Sequence, residues 1–113
     1  MSSQLIYTKS FVASVSGDTV LLTPRGSSGR LKLFSVLWNV ESTITGEVKL
    51  KLGNEIKNGV RNPKVGALYG FNWHPDFMLG EPSASLIVSL PDSVAVTLDV
   101  TWREVPDWTS DEL

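Results

Sequence analysis

Residues 47–53 read Glu-Val-Lys-Leu-Lys-Leu-Gly, with Val48, Leu50 and Leu52 on one side of an extended chain and Glu47, Lys49 and Lys51 on the other. A period of two is what a β-strand with one buried and one wetted face requires. The same alternation returns near the end of the chain. Val94, Val96, Leu98, Val100 and Trp102 share one parity there, against Ala95, Thr97, Asp99, Thr101 and Arg103. Between these two stretches in character lies the run at 30–40. It opens with Leu31 and Leu33 alternating with Arg30 and Lys32, then turns apolar on both faces from Phe34 to Trp38. Such a strand is either covered on both sides midway or bends between two sheets.

The remaining signals are shorter. Strands are expected over residues 5–15, 19–23, 55–60, 65–72 and 85–90. Turn-forming residues punctuate them at Gly17-Asp18, through Pro24, Gly26 and Gly29, at 41–46, at Gly53-Asn54 and at Pro91-Asp92. Pro63 cannot donate to a central ladder. Gly66 and Gly70 weaken the extended segment that follows. Residues 73–83 form the longest irregular stretch, with Pro75, Gly80 and Pro82 beside Trp73, Phe77 and Met78. About eight strands at spacings of roughly ten residues, with no helical periodicity, predict an all-β, antiparallel β-sandwich. Two four-stranded sheets in a jelly-roll-like arrangement are the preferred form. Residues 1–105 read as one domain, and residues 106–113 as an acidic C-terminal tail or arm.

Size and composition agree with a single core. A chain of 113 residues buries roughly two-thirds of its unfolded surface without needing staples. It is 42% hydrophobic and 19% charged, with no cysteine, which excludes a disulfide framework and thiolate metal sites. Residues 1–4 carry no basic leader and no apolar run reaches membrane length, so synthesis in a cytoplasm and no membrane partner are expected. The net charge of −2 speaks against a general nucleic-acid binder. That charge is uneven: all ten Lys and Arg precede residue 104, whereas Glu104, Asp107, Asp111 and Glu112 crowd the last ten positions. This end is either a solvated, frayed terminus or an arm that docks on a neighbouring subunit. Trp108 favours the arm, since a solvated tail gains nothing from an aromatic anchor.

Reaction chemistry finds little support. His74 is the single histidine, and with Asp76 it cannot fill a coordination sphere. A serine nucleophile needs a base held by a third group, and no G-x-S-x-G elbow occurs. The acids fall mostly on outward strand positions or turns, as Glu47 and Asp99 do, where solubility accounts for them and a glycosidase pair is only formally open. Gly26 and Gly29 flank two serines but lack the ending of a phosphate loop. The expectation is a protein with no catalytic residues, no cofactor and no metal.

Binding is better represented. Lys49, Lys51, Lys57, Arg61 and Lys64 form the one basic concentration, diluted by Glu47 and Glu55. It suits a wet sheet face, an edge guarded by lysine, or a contact with an acidic partner. Tyr69, Phe71, Trp73 and Phe77 fall within nine residues. The first three share a parity, so they either join the core or form a contact surface. Arg61, Tyr69, Trp73, Phe77 and Trp108 are the residues expected to meet a partner.

The run RLKLFSVLWNVES, the strand GEVKLKLG, the segment NPKVGALYGFNWHPDFMLGEPSASLIVSL and the closing strand SVAVTLDVTW together resemble small jelly-roll β-sandwich proteins of tailed-phage virions, the capsid decoration or cement class. The resemblance is one of layout and covers about two-thirds of the chain, residues 30–105. It implies a virion structural protein without catalysis, made in a host cytoplasm, that binds capsid or other virion subunits as a homo-oligomer, with a trimer favoured. The competing expectation is a carbohydrate- or receptor-binding module of a phage tail, with Trp38, Tyr69, Trp73 and Trp102 as stacking platforms.

Overall fold

A computed structural model describes residues 6–25, 29–72 and 77–105. These hold nine strands and no helix: β1 (Tyr7–Ala13), β2 (Gly17–Leu22), β3 (Arg30–Val40), β4 (Glu47–Leu52), β5 (Glu55–Arg61), β6 (Tyr69–Asn72), β7 (Met78–Leu79), β8 (Leu86–Leu90) and β9 (Val96–Val105). One sheet runs β1-β9-β3-β6, with β7 also on β3. The other runs β2-β8-β4-β5, and every pairing is antiparallel.

The pairs nest around the β4–β5 hairpin. β3 takes β6 and β7, β2 takes β8, and β1 takes β9. A long hairpin has thus folded over itself, its arms alternating between two sheets, which is the jelly roll. Nine strands occupy eight positions. β6 pairs with residues 35–38 of β3 and β7 with residues 32–33, so the two are successive pieces of one edge strand. The irregular stretch expected over residues 73–83 therefore contains a ladder, at Met78–Leu79.

The clean alternations hold at Glu47–Leu52 and on β9 from Val96 to Thr101. Val48, Leu50 and Leu52 from β4 meet Val96, Leu98 and Val100 from β9 in one buried cluster, joined by Leu86, Val88 and Leu90 from β8. The doubly apolar run on β3 is a bulge. Leu33 pairs with Trp102 and Ser35 with Thr101, which leaves Phe34 as the extra residue. Inward parity shifts there from Leu31 and Leu33 to Val36, Trp38 and Val40, all buried. The chain bends at this point, and both apolar sets reach the same core.

Several boundaries differ from the sequence expectation: β9 runs two residues later than 94–103, and β1 is shorter than 5–15. Gly17-Asp18 opens β2 instead of forming the turn, pairing with Leu90 and Ser89 of β8, and glycine tolerates the φ of +90° at the strand's first position. Of residues 65–72 only the last four are in a ladder.

The β2–β3 loop, the β4–β5 turn, the β7–β8 loop, the start of β1 and the end of β9 gather at one end of the sandwich, as the registers require. The β1–β2, β3–β4, β5–β6 and β8–β9 connections lie at the opposite end.

Candidate functional site

Strand register sorts the outward side chains into two faces of different chemistry. On the first sheet, Thr8, Ser10 and Val12 of β1 stand opposite Thr101, Asp99 and Thr97 of β9, which in turn oppose Ser35, Leu37 and Asn39 of β3. The row is extended by Asn72 and Gly70 of β6. Asp99 is the one ionisable residue in this patch, and the Ser10 hydroxyl donates to its Oδ1 at 2.5 Å. The Thr8 and Thr101 hydroxyls share a hydrogen bond of 3.1 Å. The patch is a flat field of hydroxyls and amides around Leu37.

The second sheet carries charges beside the exposed apolar side chains of Val20 and Ile56. One row reads Val20, Ile87, Lys51, Ile56 and the next Asp18, Ser89, Lys49, Gly59. Lys51 Nζ reaches across β8 to Asp18 Oδ2 at 2.8 Å, and Lys49 lies 3.9 Å from Glu47. The hydrogen bond from Lys51, then one from Ser89, holds the Asp18 carboxyl below the usual aspartate range. Glu55 is lowered in the same way by its hydrogen bond from Lys57. Three of the five residues in the basic concentration, Lys49, Lys51 and Lys57, therefore carry local acidic partners.

At the end where the chain enters β1 and leaves β9, an open cleft of about 530 Å³ runs between the β4–β5 turn and the β7–β8 loop. Its walls are held by backbone bonds. Gly80 N–H donates to the Leu31 carbonyl and Ser83 N–H to that of Gly29, both at 2.8 Å. Arg30 Nε donates to the Gly80 carbonyl at 2.7 Å. Gly53 N–H donates to the Ser85 carbonyl at 2.8 Å. Of the side chains lining the cleft, Lys57 is paired with Glu55 and Ser85 Oγ with Thr23 Oγ1. Among the described residues no group of three His, Cys, Asp or Glu is placed to hold a metal ion.

The residues expected to meet a partner are scattered. Arg61 ends β5 on the charged face, opposite Glu47. Tyr69 turns inward, its ring 4.7 Å from that of Trp38 and its hydroxyl accepting from Lys64 N–H at 2.8 Å. Phe71 packs on the core beside it. Of the two alternatives for these aromatics, the core reading describes Tyr69 and Phe71. Phe77 is half-buried beside Lys32, whose Nζ lies 4.0 Å from the ring centroid, and leans edge-on against Phe34. Tyr69 and Phe77 thus attach to β3 at positions six residues apart, Trp38 and Lys32, about 20 Å along the strand. Trp73, Trp108, His74 and the acidic tail at 106–113 lie outside the described residues. Trp38, a candidate stacking platform, is 2% exposed in the core and offers no face to a sugar.

Two features escaped the sequence reading. Lys32 and Arg103 oppose each other on the outward parity, yet are only 7% and 8% exposed. Alternation assigns both to solvent, and the aromatic cover of Lys32 comes from a segment far away in sequence. The second is an aromatic group at the β1 edge. Trp102 lies 5.5 Å from Tyr7 and 6.2 Å from Phe11, with Lys9 5.2 Å above the Phe11 ring.

Comparison of the chain with protein-family models, with curated proteins and with solved structures gives no match. The class of protein is set by the fold itself: an all-β jelly-roll sandwich with one neutral and one charged outer face.

Proposed function

We propose that this protein is a non-enzymatic structural module of a virion, a decoration or cement protein that lays the outer face of its first sheet against a capsid lattice. The observation that carries the reading is the neutral patch around Leu37, three strands wide with Asp99 as its one charge. Cores of protein interfaces are depleted in charged residues, because charges cost most to strip of water. The second sheet, with its ion pairs across Asp18, Lys51, Glu47 and Lys49, has the character of a solvent-facing side. The jelly-roll topology and the virion resemblance point the same way.

The test is co-sedimentation of the purified chain with capsid particles. Ser35→Glu and Thr97→Glu place charge in the neutral patch and are expected to reduce the bound fraction at least tenfold. Lys49→Glu on the other face is expected to leave it unchanged. Equal binding by all three variants would remove the neutral face from the account.

A carbohydrate-binding tail module is the second reading, favoured by the half-exposed group of Tyr7, Phe11 and Trp102. Glycan-array binding that disappears in Tyr7→Ala, with no retention on particles, would select it.

A further inference from the structure

The sandwich has four strand edges, and three of them are guarded. β2 carries a register shift between Val20 and Leu22. β5 has one opposite Leu50 and Lys51, and presents Lys57 and Arg61. The β6–β7 edge is broken into pieces of four and two residues. Bulges, charges and short strands are the usual devices against edge-to-edge pairing. β1 has neither a bulge nor a short length, and its one device is a single charge. Its seven residues pair with β9 in unbroken register, contain no proline or glycine, and carry one charge, Lys9. No other described strand lies on its far side.

Exposed apolar side chains collect beside this edge. Of the eight large hydrophobic residues that stand exposed among the described residues, Ile6, Tyr7, Val12, Val15 and Val20 belong to β1, β2 and their flanks. Val12 is 64% and Val15 65% exposed. Ile6, Tyr7 and Val12 lie on β1 or at its start, Val15 follows its end, and Val20 faces outward on the second sheet, which β2 ends.

We infer that β1 is a self-pairing edge, joining a second copy of this chain antiparallel across a two-fold axis at Ser10 to make one continuous sheet. The sequence of β1 is self-complementary in that register. Ser10 meets the partner's Ser10, and Thr8 meets the partner's Val12. Lys9 meets the partner's Phe11, repeating between copies the Lys9–Phe11 contact already made within one. Tyr7 meets the partner's Ala13. No two like charges stand opposite each other, because the only charge on the strand lies off the axis. An isologous contact of this kind closes on itself. It replaces the three-fold order expected from the virion resemblance with a two-fold one. It does not depend on the lattice reading, since it concerns the free protein.

The chain has no cysteine, so single-cysteine variants report register directly. In the two-fold register the Ser10 Cα atoms are about 4.5–5.5 Å apart, within disulfide range. Four positions of offset put the two Thr8 residues, and the two Val12 residues, about 13 Å apart. Under mild oxidation Ser10→Cys is expected to cross-link at least tenfold faster than Thr8→Cys or Val12→Cys. The wild-type chain is expected to have a solution mass twice its 12.4 kDa. A charge pair gives a second reading of the same register: Thr8→Lys with Val12→Lys splits the dimer, whereas Thr8→Lys with Val12→Glu restores it. A wild-type mass of one or three chains, or equal cross-linking at the three positions, overturns the proposal.

Discussion

Trp38 and Tyr69 stand directly opposite each other in the β3–β6 ladder, their ring centroids 4.7 Å apart and their planes tilted by 31°. This pair fixes the inner face of the aromatic segment. It also ties the β5–β6 connection to the sandwich, because the Tyr69 hydroxyl takes the Lys64 N–H. Tyr69→Phe removes only that hydrogen bond, and about 1 kcal/mol of stability should go with it. Tyr69→Ala also loses the stacking and leaves a void over Trp38, for an expected loss of about 2–4 kcal/mol. Denaturant titration of both variants separates the two contributions.

Gly70 faces Leu37 in the same ladder at a φ of +116°. A Cβ there would stand 1.9 Å from the Val36 carbonyl oxygen, a backbone atom that cannot move aside. Gly66 also has a positive φ, +88°, but a Cβ there meets nothing within 4 Å. Gly66→Ala is therefore expected to cost about 1 kcal/mol, the conformational penalty alone. Gly70→Ala should cost at least about 3 kcal/mol, since the β6 edge must shift to admit it. Thermal melts that show equal losses would contradict the close approach.

Acid should weaken the charged face. Asp18 and Glu55 are held below their ordinary values by hydrogen bonds from Lys51 and Lys57. Folded, such carboxyls bind fewer protons than they do unfolded. Their stabilisation is complete above the unfolded values and fades as pH falls below about 4. Near pH 7 the stability should be flat with respect to these two groups. Asp18→Asn is expected to give a shallower acid decline than the wild type, and Lys51→Met the same. An unchanged decline in both variants would mean that the pair across β8 contributes nothing.

The parts of the fold legible in the sequence are those where alternation and burial coincide. The strand at Glu47–Leu52 has its expected bounds because each apolar position meets the facing sheet and each charged one meets water or an ion-pair partner. The β3 bulge was legible only as a doubly apolar run. Pattern shows that Phe34 breaks the period, but the register against Trp102 and Thr101 is a long-range property. Gly17-Asp18 looked like a turn because glycine and aspartate favour both turns and strand starts, and pairing with Leu90 and Ser89 decides between them. The neutral patch was present in the sequence as Thr97, Asp99 and Thr101, yet its width depends on which strands lie beside β9. Thr8, Ser10 and Ser35 come from segments up to 93 positions away. The β1 edge was hidden for the same reason, since no local pattern tells an edge strand from a central one.

The central claim is that the chain is a stoichiometric structural part of a particle. Quantitative mass spectrometry of gradient-purified virions from the system that encodes it tests this most directly. The account requires its peptides at a fixed ratio to the major capsid protein across the particle peak, with the Ser35→Glu variant lost from that peak. Virions that lack the chain, or carry it at a ratio that drifts across the gradient, would contradict it.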